Sequence, residues 1–210
     1  TWYANSKTIK KKGLRFARGM NYALVKLIKE KKFDNYDAFF FLTNDTVFKK
    51  YQVIDKLSKI LFSEEKLAIL SPCSEEWGEF KILKKQKTKF FWYILNNALM
   101  IKKEFIKEIM PSKCNYLNAL FDGTNFRGYG LESELISKAY SNNWAAAITS
   151  SVTAGENESY LKNSYNKIKT ESYDKNIKLY LKEGKEWMKN KYGFSNKWAF
   201  QMYVKNFYDK

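Results

Sequence analysis

Apolar positions along the first third of the chain change their period twice. Between residues 17 and 32, Ala17, Met20, Leu24, Leu27 and Ile28 recur at helical spacing, with lysines filling the other face, which predicts an amphipathic helix. Asp37 to Leu42 is then a short continuous apolar run that ends in polar residues, the pattern of a buried and parallel strand. Residues 51–62 return to helical period through Ile54, Leu57 and Leu61. Leu67 to Leu70 reads as a second buried strand, ended by Ser71 and Pro72. Helix, strand, helix, strand is the order of an α/β sheet with crossover helices.

Farther on the pattern is less regular. Residues 74–88 are charged and read as a loop or weak edge strands. Phe90 to Ile101 is strand-like, and Lys102 to Met110 is a short helix stopped before Pro111. Residues 115–130 set Gly123, Gly128 and Gly130 among aromatics, which predicts an ordered loop. Leu131 to Tyr140 is amphipathic and helical, and Ala145 to Ile148 would be a final strand. Residues 156–210 carry Lys, Asn, Tyr and Trp at helical spacing without a strand signal. The expected organisation is an α/β domain over residues 1–155 and a helical extension over 156–210.

A chain of 210 residues suits one domain, and 45% apolar with 18% aromatic residues marks it as folded. The net charge is +16, yet the only arginines are Arg15, Arg18 and Arg127. Base readers lean on the arginine fork, so nucleic acid is not an expected partner. Lysine-rich charge suits a solvated surface, with weak attraction to anionic lipid or a phosphorylated substrate. There is no histidine, and Cys73 and Cys114 form no CxxC pair. The usual zinc sites and histidine bases are therefore excluded, and a metal would need oxygen ligands, which favours Mg²⁺ or Mn²⁺. Two unpaired cysteines fit a reducing cytoplasm. The longest apolar stretch, Phe90 to Ile101, is too short to span a membrane and is broken by Asn96 and Asn97.

Three segments carry candidate chemistry. Phe39 to Thr46 ends a strand on Thr43, Asn44 and Asp45, at the sheet edge where α/β proteins bind ligands. Read without function, it is an Asn-Asp turn. Phe121-Asp122, Phe126 and Tyr129 lead into Gly130-Leu131-Glu132-Ser133-Glu134, where two carboxylates open a helix. They stabilise the helix dipole or supply a general base. Gly13 to Asn21 places Arg15 and Arg18 at a helix opening, which suits phosphate contact or a capped surface helix.

The order of these segments resembles glycosyltransferase family 2, the inverting GT-A enzymes. The resemblance covers about residues 11 to 150. It rests on Ala17-Arg18-Gly19-Met20-Asn21, on Phe41-Leu42-Thr43-Asn44-Asp45-Thr46 as the DXD-type element, and on Asn97 to Glu104. Phe121-Asp122 and Glu132-Ser133-Glu134-Leu135 complete it. It starts after the strand–helix–strand unit that opens the family, so the expected domain is N-terminally incomplete.

The resemblance implies an α/β fold of GT-A type, with a mostly parallel sheet flanked by helices. It implies Glu132 as catalytic base and Asp45 as metal ligand at the donor diphosphate. It gives Arg15, Arg18, Asn21, Thr43, Asn44 and Asp45 to a UDP- or dTDP-sugar. Asp122 and Tyr129 would line a glycan or lipid-linked acceptor, joined by Trp92, Tyr93, Asn96 and Asn97, which suit stacking on sugar rings or, read without function, core packing. Thr43 stands where the family often has its first acidic residue. Thr153 to Glu158 occupies the region of a histidine ligand found in many members. These departures keep open a non-catalytic GT-A-like binding or scaffold domain. The implied setting is bacterial surface polysaccharide or glycolipid synthesis, in the cytoplasm with peripheral contact at the inner face of the membrane.

Overall fold

The computed structural model describes residues 15–49, 51–74, 79–83, 85–92, 94, 97–157, 159 and 172–208. Residues 11–14 of the resemblance, Tyr93, Asn96, Glu158 and residues 160–171 lie outside them. The elements are α1 (Arg15–Lys29), a 3-10 turn (Phe33–Asn35), β1 (Ala38–Leu42), β2 (Thr46–Phe48) and α2 (Val53–Ser63). There follow β3 (Leu67–Cys73), α3 (Glu79–Leu83), β4 (Thr88–Phe90), β5 (Ala98–Lys102) and α4 (Lys103–Ile109). The last are α5 (Leu131–Ser141), β6 (Ala145–Glu156), α6 (Tyr173–Tyr192) and α7 (Lys197–Tyr208).

Helices cover both faces of the sheet, which is why its central strands are buried throughout and mostly apolar. All seven residues of β3 and all five of β5 are buried. Alternate residues serve different layers. Ile69, Leu99 and Ile101 pack with Leu24 of α1, Leu135 and Ile136 of α5, Met188 of α6 and Phe200 and Val204 of α7. Leu70, Met100 and Ala147 face Leu57 and Leu61 of α2. The C-terminal helices thus contribute to the same core as the sheet. No helix among the described residues is long and apolar enough to cross a membrane.

The fold is α/β, but the expected GT-A-like, mostly parallel sheet is corrected by the pairing. β3 and β6 run parallel, whereas β1–β5, β3–β5, β4–β6 and β2–β6 are antiparallel. An uninterrupted apolar run reports that both faces are covered and says nothing of direction. Direction follows from the connections, and a parallel step needs a crossover of a dozen or more residues. β3 and β6, the parallel pair, are joined by a long stretch that includes α4 and α5 and meets that need.

The strand order is β1-β5-β3-β6-β2. In a flat sheet β1 and β2 would lie four strand spacings, roughly 19 Å, apart. Leu42 and Thr46 are four residues apart in sequence, a reach of at most about 14 Å. The sheet therefore cannot be flat. β6 breaks register against β3 between Thr149 and Thr153, while β3 advances only from Pro72 to Cys73. The extra residues turn its last part back across the sheet end, where Ala154, Gly155 and Glu156 pair with Phe48, Val47 and Thr46. The polar loop after β1 is thereby fastened beside the end of β6. Register also places Leu42 opposite Ala98, so this is the end from which β5 starts.

Candidate functional site

The bent end of the sheet collects polar groups from four segments. Thr43 donates its backbone N–H to Asn97 O at 3.0 Å. Thr46 Oγ1 lies 2.9 Å from Thr43 Oγ1 and donates to Asn97 O at 2.7 Å. Asp45 is buried to 9% exposure, and its carbonyl accepts from Asn157 N at 2.8 Å. Asn44 is exposed. The structure brings Thr43, Asn44, Asp45 and Asn97 to one end of the sheet.

Among the described residues, four buried side chains carry polar atoms with no hydrogen-bond partner. They are both amide atoms of Asn97, Oγ1 of Thr153, Oε2 of Glu132 and Oε1 of Gln201, whose amide nitrogen donates to Ser133 beside Glu132. Asn97 and Thr153 lie at the same sheet end, because Thr153 pairs with Cys73 where β3 terminates. Glu132 belongs to the first turn of α5, and α5 leads through a tight turn into the start of β6. Packed against β6, the helix must run opposite to it, so its N-terminus returns to the end where Thr153 stands.

The acidic helix start is sealed by the C-terminal helices. Gly130 takes φ +71° ahead of α5, a left-handed conformation that suits glycine. Glu132 Oε1 pairs with Lys197 Nζ at 3.0 Å. Glu134 Oε1 accepts from Tyr192 Oη at 2.6 Å and Lys191 Nζ at 2.8 Å. Asp122 Oδ2 accepts from Lys191 Nζ at 2.5 Å and Trp187 Nε1 at 3.1 Å, while its Oδ1 accepts from Thr124. Burial alone would raise the Asp122 carboxyl, but the bonds from Lys191, Thr124 and Trp187 outweigh it and hold it at about 2. Burial would lower the Lys191 ammonium, yet Asp122 and Glu134 raise it above the ordinary lysine range. Burial, then Glu132, Tyr129 and Glu156, push the Tyr180 hydroxyl up. Tyr180 therefore feels both the acidic helix and the β6 end that neighbours Asp45.

The other expected ligand contacts have structural duties. Asn21 is fully buried and donates to Tyr116 O and Phe121 O, while its Oδ1 accepts from Leu120 N and Phe121 N. It shapes the loop ahead of α5. Tyr129 is buried, meets Tyr180 edge-on at 5.2 Å, and accepts from Lys197 N at 3.1 Å. Trp92 stacks on Phe91 at 5.1 Å. Arg18 donates from Nε to Gly123 O at 2.7 Å, and Arg15 donates to Asn176 Oδ1 at 3.2 Å.

Sequence reasoning did not single out Lys191, Lys197 or Tyr180, and named Thr153 only as the start of the region where many family members carry a histidine. The signal for α6 was present: Tyr180, Gly184, Trp187, Met188 and Lys191 fall on one helical face. A metal test gives a limited donor set. Among the described residues no three His, Cys, Asp or Glu side chains converge on one point. Asp45 thus provides a single carboxylate, and an ion there would depend on ligand oxygens. Comparison with protein-family models, curated proteins and solved structures finds no match to this chain.

Proposed function

We propose that the chain is an inverting glycosyltransferase built on a mixed α/β fold, which uses a nucleotide-diphosphate sugar and a hydroxyl acceptor. One observation carries this reading: the sheet end that holds Asp45 also gathers buried polar atoms with unmet hydrogen-bonding capacity. An unpaired buried polar group costs about 1–3 kcal/mol. Keeping several at one end of a sheet, where α/β proteins bind ligands, supports a polar substrate there.

In this reading the loop Thr43-Asn44-Asp45 meets the donor diphosphate, and Asn97 and Thr153 meet sugar hydroxyls. Glu132 acts as base. Lys197 holds its Oε1, which leaves Oε2 as the oxygen able to receive a proton. The acceptor oxygen forms a bond to the anomeric carbon as its proton passes to Glu132. The bond from that carbon to the diphosphate breaks, and its electron pair leaves with the nucleoside diphosphate. Mg²⁺ or Mn²⁺ bound by the diphosphate and Asp45 would offset the departing charge. Because Glu132 is buried, α7 must shift for an acceptor to reach it. The setting that goes with this reading is glycan or glycolipid synthesis at the inner face of a membrane, with the lysine-lined groove of Lys56, Lys59 and Lys87 as an anionic contact.

The same burial favours a second reading, a non-catalytic binding domain of the same architecture. The two separate experimentally. UDP- and dTDP-sugars, with and without Mn²⁺, are screened for a rise in melting temperature, and turnover is then measured with Glu132→Gln. A positioned base contributes about 10²–10⁴-fold. The catalytic reading expects kcat to drop by at least about a hundredfold with the donor-induced shift retained. Undiminished turnover removes Glu132 from the role. Donor binding with no turnover in the native chain selects the binding domain.

A further inference from the structure

We propose that the groove between Phe62 and Trp144 binds a neutral polyhydroxylated ligand, a sugar unit. The groove lies at the opposite end of the sheet from Thr43 and Asn97. Asp37 leads into β1, Lys102 closes β5 and Trp144 leads into β6, whereas Leu42 and Ala98 mark the other end of the same ladder. The length of β1 separates the two ends by about 13 Å at the rise of a strand. The groove has a volume of about 480 Å³, opens to solvent, and is lined by Asp37, Phe62, Glu65, Lys102, Glu104 and Trp144. That size suits a small organic ligand.

Its walls are held by contacts within the protein. Lys102 is 6% exposed, and its Nζ donates to Glu64 O at 2.7 Å and Glu65 O at 3.0 Å. An ammonium carries three N–H donors, so one remains. Trp144 Nε1 donates to Glu108 at 2.7 Å, and Lys66 and Lys102 Nζ lie 5.7 and 6.0 Å from the Trp144 ring centroid. The Phe62 ring is exposed. Among the described residues, Glu65 and Glu104 form no side-chain hydrogen bond or ion pair. Burial lowers the Lys102 ammonium, while Glu104, Glu65 and Glu64 oppose the shift, so the carboxylates and the ammonium act on the same space.

This mixture rules against simpler ligands. An anion would meet Asp37, Glu65 and Glu104. A cation would meet Lys102 and Lys66, which already stand over the Trp144 ring. A hydrocarbon would strip water from the carboxylates and return no hydrogen bond. A sugar answers every wall at once. Its hydroxyls donate to the carboxylates and accept from Lys102, and its C–H face covers Phe62.

The groove does not depend on glycosyl transfer, and its test involves no turnover. The full chain is titrated, with saturation-transfer NMR as readout, against glucose, galactose, mannose, N-acetylglucosamine, cellohexaose and maltohexaose. Saturable binding of a sugar from this set is expected. Phe62→Ala should weaken it about tenfold or more, and Phe62→Tyr, which keeps the ring, should bind as the native chain does. Glu104→Gln should also weaken it about tenfold, because a neutral amide replaces a charge-assisted acceptor. Glu104 is exposed, so this variant serves should Phe62→Ala lower the melting temperature of the free protein. Choline and inorganic phosphate are the charged probes. Four results would each overturn the site: no sugar bound, sugar bound equally by the Phe62→Ala and Glu104→Gln variants, Phe62-dependent binding of choline or phosphate tighter than of any sugar, or sugar binding lost in Asn97→Ala and kept in Phe62→Ala. A failed Glu132→Gln experiment would leave it standing.

Discussion

Gly184 sits on α6 where that helix presses against Tyr129. A Cβ built there would lie 2.1 Å from Tyr129 Cβ and 2.4 Å from its Cγ. Those atoms are next to the backbone, so a rotamer change cannot move them aside. Helix α6 and the loop before α5 would have to separate by more than an ångström. Overpacking of this kind costs about 1–3 kcal/mol or more. Alanine returns roughly 1 kcal/mol through its better helix propensity. Gly184→Ala should therefore be destabilised by about 2 kcal/mol, which for a chain of this size lowers the melting temperature by about 4–8 °C. Calorimetry measures the shift, and Trp187 fluorescence reports whether α6 has moved from Asp122. Gly193 calibrates the result: it has φ +78° and nothing within 4 Å of its would-be Cβ. Gly193→Ala should lose only about 1–2 kcal/mol, from backbone conformation alone. A Gly184→Ala protein that melts at or above the native temperature would mean that α6 is not seated on Tyr129, and the sealing of the acidic centre would fall with it.

Two further outcomes follow from the contacts around the acidic helix. The Asp122 carboxyl is held below its ordinary 3.8, at about 2, so its stabilisation is present above pH ~4 and is lost as pH falls toward 2. Urea unfolding should show about 1 kcal/mol lost between pH 5 and pH 3 on this account, and Asp122→Asn should abolish that component; an unchanged pH slope would refute the assignment. Asn21→Ala strands two backbone N–H groups and two carbonyls, so it should cost about 3 kcal/mol or more, read from the urea midpoint. A loss below about 1 kcal/mol would show that water replaces the amide.

The strands were legible because burial on both faces leaves a run such as Ala68-Ile69-Leu70 without polar interruptions. Their directions were not, because pairing partners are distant in sequence and the runs look alike either way. The loop at Thr43 to Asp45 was legible as polar residues after an apolar strand. Its place beside Asn157 was not, because it depends on the bend in β6. Glu132 and Glu134 stood out as a helix start, yet Lys197 and Lys191, which hold them, are more than fifty residues away. Asn21 illustrates the opposite difficulty. Its neighbourhood of arginines suggests a ligand, and only the folded loop reveals that its amide is already committed.

The corner in β6 between Thr149 and Thr153 has a consequence for how this fold tolerates change in length. Side chains of a strand alternate between its faces, so parity matters as well as space. Deleting one residue at Ser150, Ser151 or Val152 would turn Thr153 toward the opposite layer, bring Ala154 into its position, and reverse Glu156 against Thr46. Surface loops elsewhere absorb single insertions, but this corner accepts length only in steps that preserve the alternation.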